Sequence, residues 1–182
     1  YVQAQEEERI LQQLERLEES IPPPPPIQAP VVEAVSLPVP TLATPQPARV
    51  QLAVPFSAQA PHGNWDMPYQ EACEEMSLIM LDYFLKNKSI NPQQADAEIR
   101  QFIDWNERMR YAESEPLLGV ASMAENYYGY ETELIQNVTI ERIKREIAAG
   151  NPLIVPTAGK MLNNPYYSGG GPWYHMLIIT GY

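Results

Sequence analysis

"YQEACEEMSLIM", residues 69–80, decides how this chain is read. It holds the sole cysteine of 182 residues, Cys73, at the point where a polar, proline-bearing loop gives way to an apolar helical pattern. From Ala72 onward Met76, Ile79, Met80, Tyr83 and Phe84 recur at helical spacing, and the pattern ends near Asn87. Two roles suit Cys73. In the first turn of a helix, backbone N–H groups and the helix dipole favour a thiolate nucleophile. Entering an apolar helix, the same residue is also a small buried hydrophobe. Glu71, Glu74 and Glu75 suit a helix start, yet their charges raise the pKa of an adjacent thiol, so activation requires a histidine partner.

Working outward, the segment before the cysteine opens with a short strand near Val50–Pro55 and a turn-rich loop, "APHGNW". After it, Asn91 is a good N-cap with Pro92 at the first helical position, and Ile99, Phe102, Ile103 and Trp105 supply a buried face. A third helix is expected over Pro116 to Tyr127, closed by Gly129. "ETELIQN", 131–137, alternates like a short strand. In "TIERIKREIAAG", 139–150, Thr139 caps a helix whose stripe is Ile140, Ile143 and Ile147, Glu141 pairs with Arg145, and Gly150 ends it. "NPLIVPTAG" reads as a strand, "KMLNNPYYSGGGPW" as a long loop and "YHMLIITGY" as the last strand. Helices first and strands later is the layout of an α+β domain.

Composition divides the rest. Residues 21–48 hold 10 of the 19 prolines, including Pro22 to Pro26 in a row, and read as a semi-rigid linker. Residues 1–20 place Ile10, Leu14 and Leu17 on one face of a charged amphipathic helix, about two heptads of a coiled-coil-like pattern. That leaves residues 49–182 as one domain, long enough to bury roughly two-thirds of its unfolded surface. The net charge of -11 is spread without a basic stripe, so nucleic acid is not an expected partner. One cysteine and two histidines form neither a disulfide framework nor a zinc set, and no metal or cofactor is expected. No run approaches the ~18 apolar residues of a membrane span. The chain starts at Tyr1 without a signal peptide and stops inside an apolar strand at Tyr182, which reads as a truncated C-terminus.

Chemistry needs a partner for Cys73. His175 opens the last strand after a Gly/Pro/aromatic loop, where a ring can face a helix N-terminus across a cleft. A Cys–His pair on separate elements is the requirement for thiol nucleophilic catalysis. The bland alternative for His175 is a half-buried ring bonded to backbone. His62 reads as an exposed turn residue. Gln59 and Gln70 both precede the cysteine, and either can present a side-chain amide as oxyanion donor. "SGGG", 168–171, lacks the context and lysine of a phosphate loop and reads as a flexible approach to His175.

Together, "VPFSAQAPHGNWDMPYQEACEEMSLIM" (54–80) and "GNPLIVPTAGKMLNNPYYSGGGPWYHMLIITGY" (150–182) resemble the bacterial peptidase family thirty-nine-like group of cysteine peptidases, relatives of bacteriocin-processing proteases. The resemblance spans about residues 50–182 and is thin over 88–135. It implies a papain-like fold, with the nucleophile at the start of a central helix and the histidine on a sheet strand. It implies Cys73 as nucleophile, His175 as general base and Gln59 as oxyanion donor, with Gln70 the lesser choice, and a peptide or protein substrate, with no cofactor. The group also orients its imidazole with an Asp or Asn on the strand after the histidine strand, which here would lie beyond Tyr182. The family reading is thus a thiol peptidase; a domain that binds peptides or cell-wall material without cleaving, and a hydrolase of peptidoglycan amide bonds, are the alternatives. The helix and linker suit self-association or tethering by an anchor that this chain lacks, and hence an extracytoplasmic place.

Overall fold

Residues 46–182 are described by a computed structural model, and in them helices come first and strands follow. The charged helix expected over residues 1–20 and most of the linker expected over 21–48 lie outside the described residues.

Helix α1, Cys73–Leu85, starts without a side-chain cap, because Ala72 has no polar atom to offer. Burial on all sides holds it instead. Ten of its thirteen residues are buried, which marks it as the central helix of the domain and not an amphipathic surface helix. Helix α2, Pro92–Met109, shows the opposite logic. The Asn91 side chain accepts from the Gln94 N–H while the Gln94 side chain accepts from the Asn91 N–H, a reciprocal capping box that satisfies two orphan donors. Its buried stripe is Ala95, Ile99, Phe102 and Asn106, at steps of four, three and four. The polar last member, Asn106, is aimed at α1.

Helix α3, Leu117–Met123, runs on into a single π-helical stretch, Ala124–Tyr128, and Gly129 ends it in the left-handed region with φ 76°. Glycine suits that position because it carries no Cβ to clash there. The stretch brings Tyr127 flat onto Phe102, ring centres 4.2 Å apart, and Trp105 edge-on to both rings. Helix α4, Ile140–Ala148, is capped by Thr139, whose hydroxyl accepts from the Arg142 N–H.

Strands β1, Leu153–Thr157, and β2, His175–Ile179, pair antiparallel with Thr157 opposite His175. Met176 of β2 is 1% exposed and belongs to the same core as α1. The strand expected near Val50–Pro55 is a single bridge, Gln51 opposite Gly181, flanked by ladder bonds between Val50 and Tyr182 and from Leu52 to Thr180. Pro55 cannot donate to a ladder, which limits its length. The strand expected over 131–137 does not form. Apart from Ile135 that segment is exposed, and alternation without a partner edge makes no sheet. The Glu141–Arg145 pair is likewise replaced: Arg142 bonds Glu146 at 2.6 Å and Glu133 at 3.1 Å. The observed architecture is α+β, with the C-terminal end of α2 and the N-terminal end of β2 both reaching the first turn of α1.

Candidate functional site

The site is built where α1 begins. A short turn, Tyr69–Glu71, leads into Cys73, and helix geometry leaves the N–H groups of the first turn without intrahelical partners. Across from it lies β2. The Met176 N–H, next in sequence to His175, donates to Cys73 Sγ at 3.4 Å, joining residues 103 apart. The fold therefore brings strand β2 against the cysteine.

The thiol itself points elsewhere. Cys73 Sγ–H donates to Glu74 Oε2 at 2.9 Å. Cys73 is 9% exposed and Glu74 2%, so the contact is shielded from water. Burial first, and the Glu74 carboxylate second, push the thiol well above its ordinary pKa. The Met176 N–H pulls the other way and does not offset them. His175 is half-buried, and burial holds its imidazole below the ordinary histidine value. No hydrogen bond joins His175 to Cys73 among the described residues. Thiol and imidazole are accordingly both neutral at rest, in place of the thiolate–imidazolium pair that a strongly activated cysteine shows.

Two further shells hold these groups. Glu74 Oε1 accepts from the Ser114 hydroxyl and the Glu115 N–H, each at 3.2 Å, so the turn before α3 anchors the acid beside the thiol. The Tyr174 hydroxyl donates to the Glu115 carbonyl at 2.8 Å, and burial, with Glu74 and Cys73 nearby, raises it to about 12. The His175 ring meets Tyr167 edge to face at 5.7 Å, and its carbonyl accepts from Thr157 Oγ1 at 2.9 Å. Tyr167 is placed by the glycine loop: a Cβ on Gly171, φ 95°, would sit 2.7 Å from the Tyr167 ring. Gly171 of "SGGG" thus packs closely on Tyr167, whose ring lies against His175, while Gly169 and Gly170 stand in open space.

The glutamines separate. Gln59 donates its side-chain amide to the carbonyls of Tyr69 at 2.9 Å and Gln70 at 3.0 Å, in the turn that enters Cys73. The Gln70 side chain is exposed and reaches Glu71 at 3.3 Å. His62 is exposed and lines a cavity of about 140 Å³ with Tyr69, Asp96 and Arg100, whose lining includes neither Cys73 nor His175. Among the described residues no group of three or more His, Cys, Asp or Glu side chains is placed to hold a metal ion.

Several residues at this site carry no motif. Ser114, Glu115, Tyr167 and Tyr174 come from loops, and Asn106 sits in a helical stripe where an apolar residue is the usual occupant. The charges of Glu74 and Glu75 are visible in the sequence; their burial is not.

Compared with known proteins, residues 51–182 match the Peptidase_C39 like family. No curated protein and no solved structure matches the chain.

Proposed function

The chain belongs to that family, and we propose that its domain, residues 49–182, cleaves peptide bonds through Cys73 and His175 in a papain-like cleft. The observation that carries this reading is the Met176 N–H on Cys73 Sγ, because it sets the His175 end of β2 at the uncapped N-terminus of α1.

The chemistry follows from neutral partners. The thiol hydrogen leaves Glu74 and is taken by the His175 imidazole as Sγ bonds to the substrate carbonyl carbon. His175 suits this task because burial keeps it unprotonated at neutral pH. The oxyanion is received by the Cys73 N–H and the Gln59 amide, which gives up one carbonyl contact in the preceding turn. Collapse breaks the C–N bond, and the imidazolium returns its proton to the departing amine. Water, deprotonated by His175, then hydrolyses the thioester and restores the thiol. A further orienting residue for His175, on a strand after β2, belongs to the same reading. So does display of the domain outside the cytoplasm.

A second reading rests on the Cys73–Glu74 contact. A thiol held by a buried carboxylate is a poor nucleophile, and such a domain would bind peptides without cleaving them. Iodoacetamide alkylation of Cys73 across pH, with cleavage of a peptide library and of peptidoglycan, separates the two. We expect wild type to cleave one of these substrates, Cys73→Ala to cleave neither, and His175→Ala to slow alkylation at neutral pH. No cleavage, with an alkylation profile unchanged by His175→Ala, overturns the dyad and leaves the binding domain.

A further inference from the structure

Glu75, two residues after the cysteine, takes no part in that mechanism, yet it is 5% exposed. Its Oε1 accepts from Asn106 Nδ2 at 2.6 Å, a contact between the first turn of α1 and the last turns of α2. The other two oxygens of the same pair, Glu75 Oε2 and Asn106 Oδ1, are both buried and both without a hydrogen-bond partner. A carboxylate offers only acceptors, so an ionised Glu75 leaves two orphan acceptors in one contacting pair. One proton on Oε2 cures both, because the acid then donates to Oδ1 while Oε1 accepts from Nδ2. Exchanging the oxygen and nitrogen of the Asn106 amide does not remove the need, since an acceptor still faces the carboxylate.

We propose that Glu75 is held as a neutral carboxylic acid in a two-bond pair with the Asn106 carboxamide, and that this proton-dependent clasp fixes the turn carrying Cys73 against α2. The surroundings agree. The charged or titratable groups that face Glu75 are Glu74 and Cys73 from α1 itself and Glu115 from the turn before α3, while α2 presents the neutral Asn106. No cation pairs with Glu75 among the described residues. Burial chiefly, then the Glu74 and Glu115 charges, raise its pKa to about 7 against the pull of Asn106 and its own N–H. A lone buried carboxylate is costly, and taking up a proton is the ordinary escape.

The direction of the linkage follows. An acid with a raised folded pKa stabilises the fold fully below its unfolded value, and that contribution is lost as pH rises through the folded value of about 7. Glu75→Gln supplies a permanent donor and acceptor in nearly the same shape. The full chain is followed by thermal unfolding from pH 4.5 to 8, wild type beside Glu75→Gln. We expect the wild-type midpoint to fall across this window by about 5 °C relative to the variant. Wild type and variant differ only at residue 75, so the difference between their profiles reports that group. Parallel profiles overturn the proposal. Should the variant fail to fold, wild type labelled with carboxyl-¹³C glutamate answers alone: one buried resonance titrating near pH 7 supports the clasp, and all resonances titrating near the ordinary ~4.3 overturn it. Both arms are independent of peptide cleavage, so failure of the peptidase reading leaves this one standing. As a positioning residue Glu75 also predicts that the pH profile of Cys73 alkylation loses a component near pH 7 in Glu75→Gln; retention of that component contradicts the clasp.

Discussion

Helix α1 buries acids in two places, and the two are handled differently. Two turns in, Asp82 is 5% exposed and meets a cation: Lys86 Nζ lies 2.6 Å from Oδ1, and the Tyr130 hydroxyl donates to the same oxygen at 2.6 Å. At the first turn, Glu74 and Glu75 are as deeply buried and meet only neutral donors: a thiol, a serine hydroxyl, a backbone N–H and a carboxamide. A buried carboxylate with an ion pair is an anchor. Buried acids without one shift the protonation of whatever they touch, which is why such clusters mark sites of chemistry. The difference teaches that α1 holds its acid by an ion pair at its middle and by neutral donors alone at its start, where the proposed nucleophile sits.

The sharpest way to break this contrast is His175→Ala. On the proposed mechanism this variant loses its general base, and kcat/KM is expected to fall by about 10²–10⁴-fold. In wild type the acid limb of kcat/KM lies below pH 6.5, because burial holds His175 below that value and the base form persists to lower pH. Turnover assays over pH 4–8 read both effects. Next comes Asp82→Ala, which leaves the Tyr130 hydroxyl without its acceptor and costs about 1–3 kcal/mol in urea unfolding, while Cys73 alkylation stays unchanged. A change in alkylation would erase the distinction between the two ends of the helix. Glu74→Gln removes the carboxylate that raises the thiol, so the alkylation midpoint falls and the rate at neutral pH rises about tenfold, a change equivalent to one pKa step of about 1.4 kcal/mol. The smallest effect belongs to Lys86→Met. Its side chain is 48% exposed and its charge solvent-screened, so stability changes by less than about 1 kcal/mol.

Much of the scaffold is legible in the chain itself. Asn91 with Pro92 and Gln94 starts α2, Thr139 starts α4, and Gly129 closes the π-helical end of α3, each through backbone groups within a few residues. The alternation in 131–137 misleads because a strand needs an edge to pair with, and pairing is not a local property. Glu141 and Arg145 are correctly spaced for a pair, yet Arg142 is the residue that bridges Glu146 to Glu133. At the candidate site, the family resemblance singles out Cys73, His175 and Gln59. Glu74 is recognisable only as a charge, and Asn106 not at all, because its role exists only once α2 has laid it against Glu75.

The sequence by itself determined the starts of α2 and α4, that Cys73 opens an apolar helix, and that His175 opens the last strand, since caps, periodicity and turn residues act through near neighbours. Only the tertiary structure decided the protonation of the site. It joined Met176 to Cys73 across 103 residues and buried Glu74 and Glu75 without a cation. Desolvation depends on everything packed around a group, and no stretch of chain contains that information.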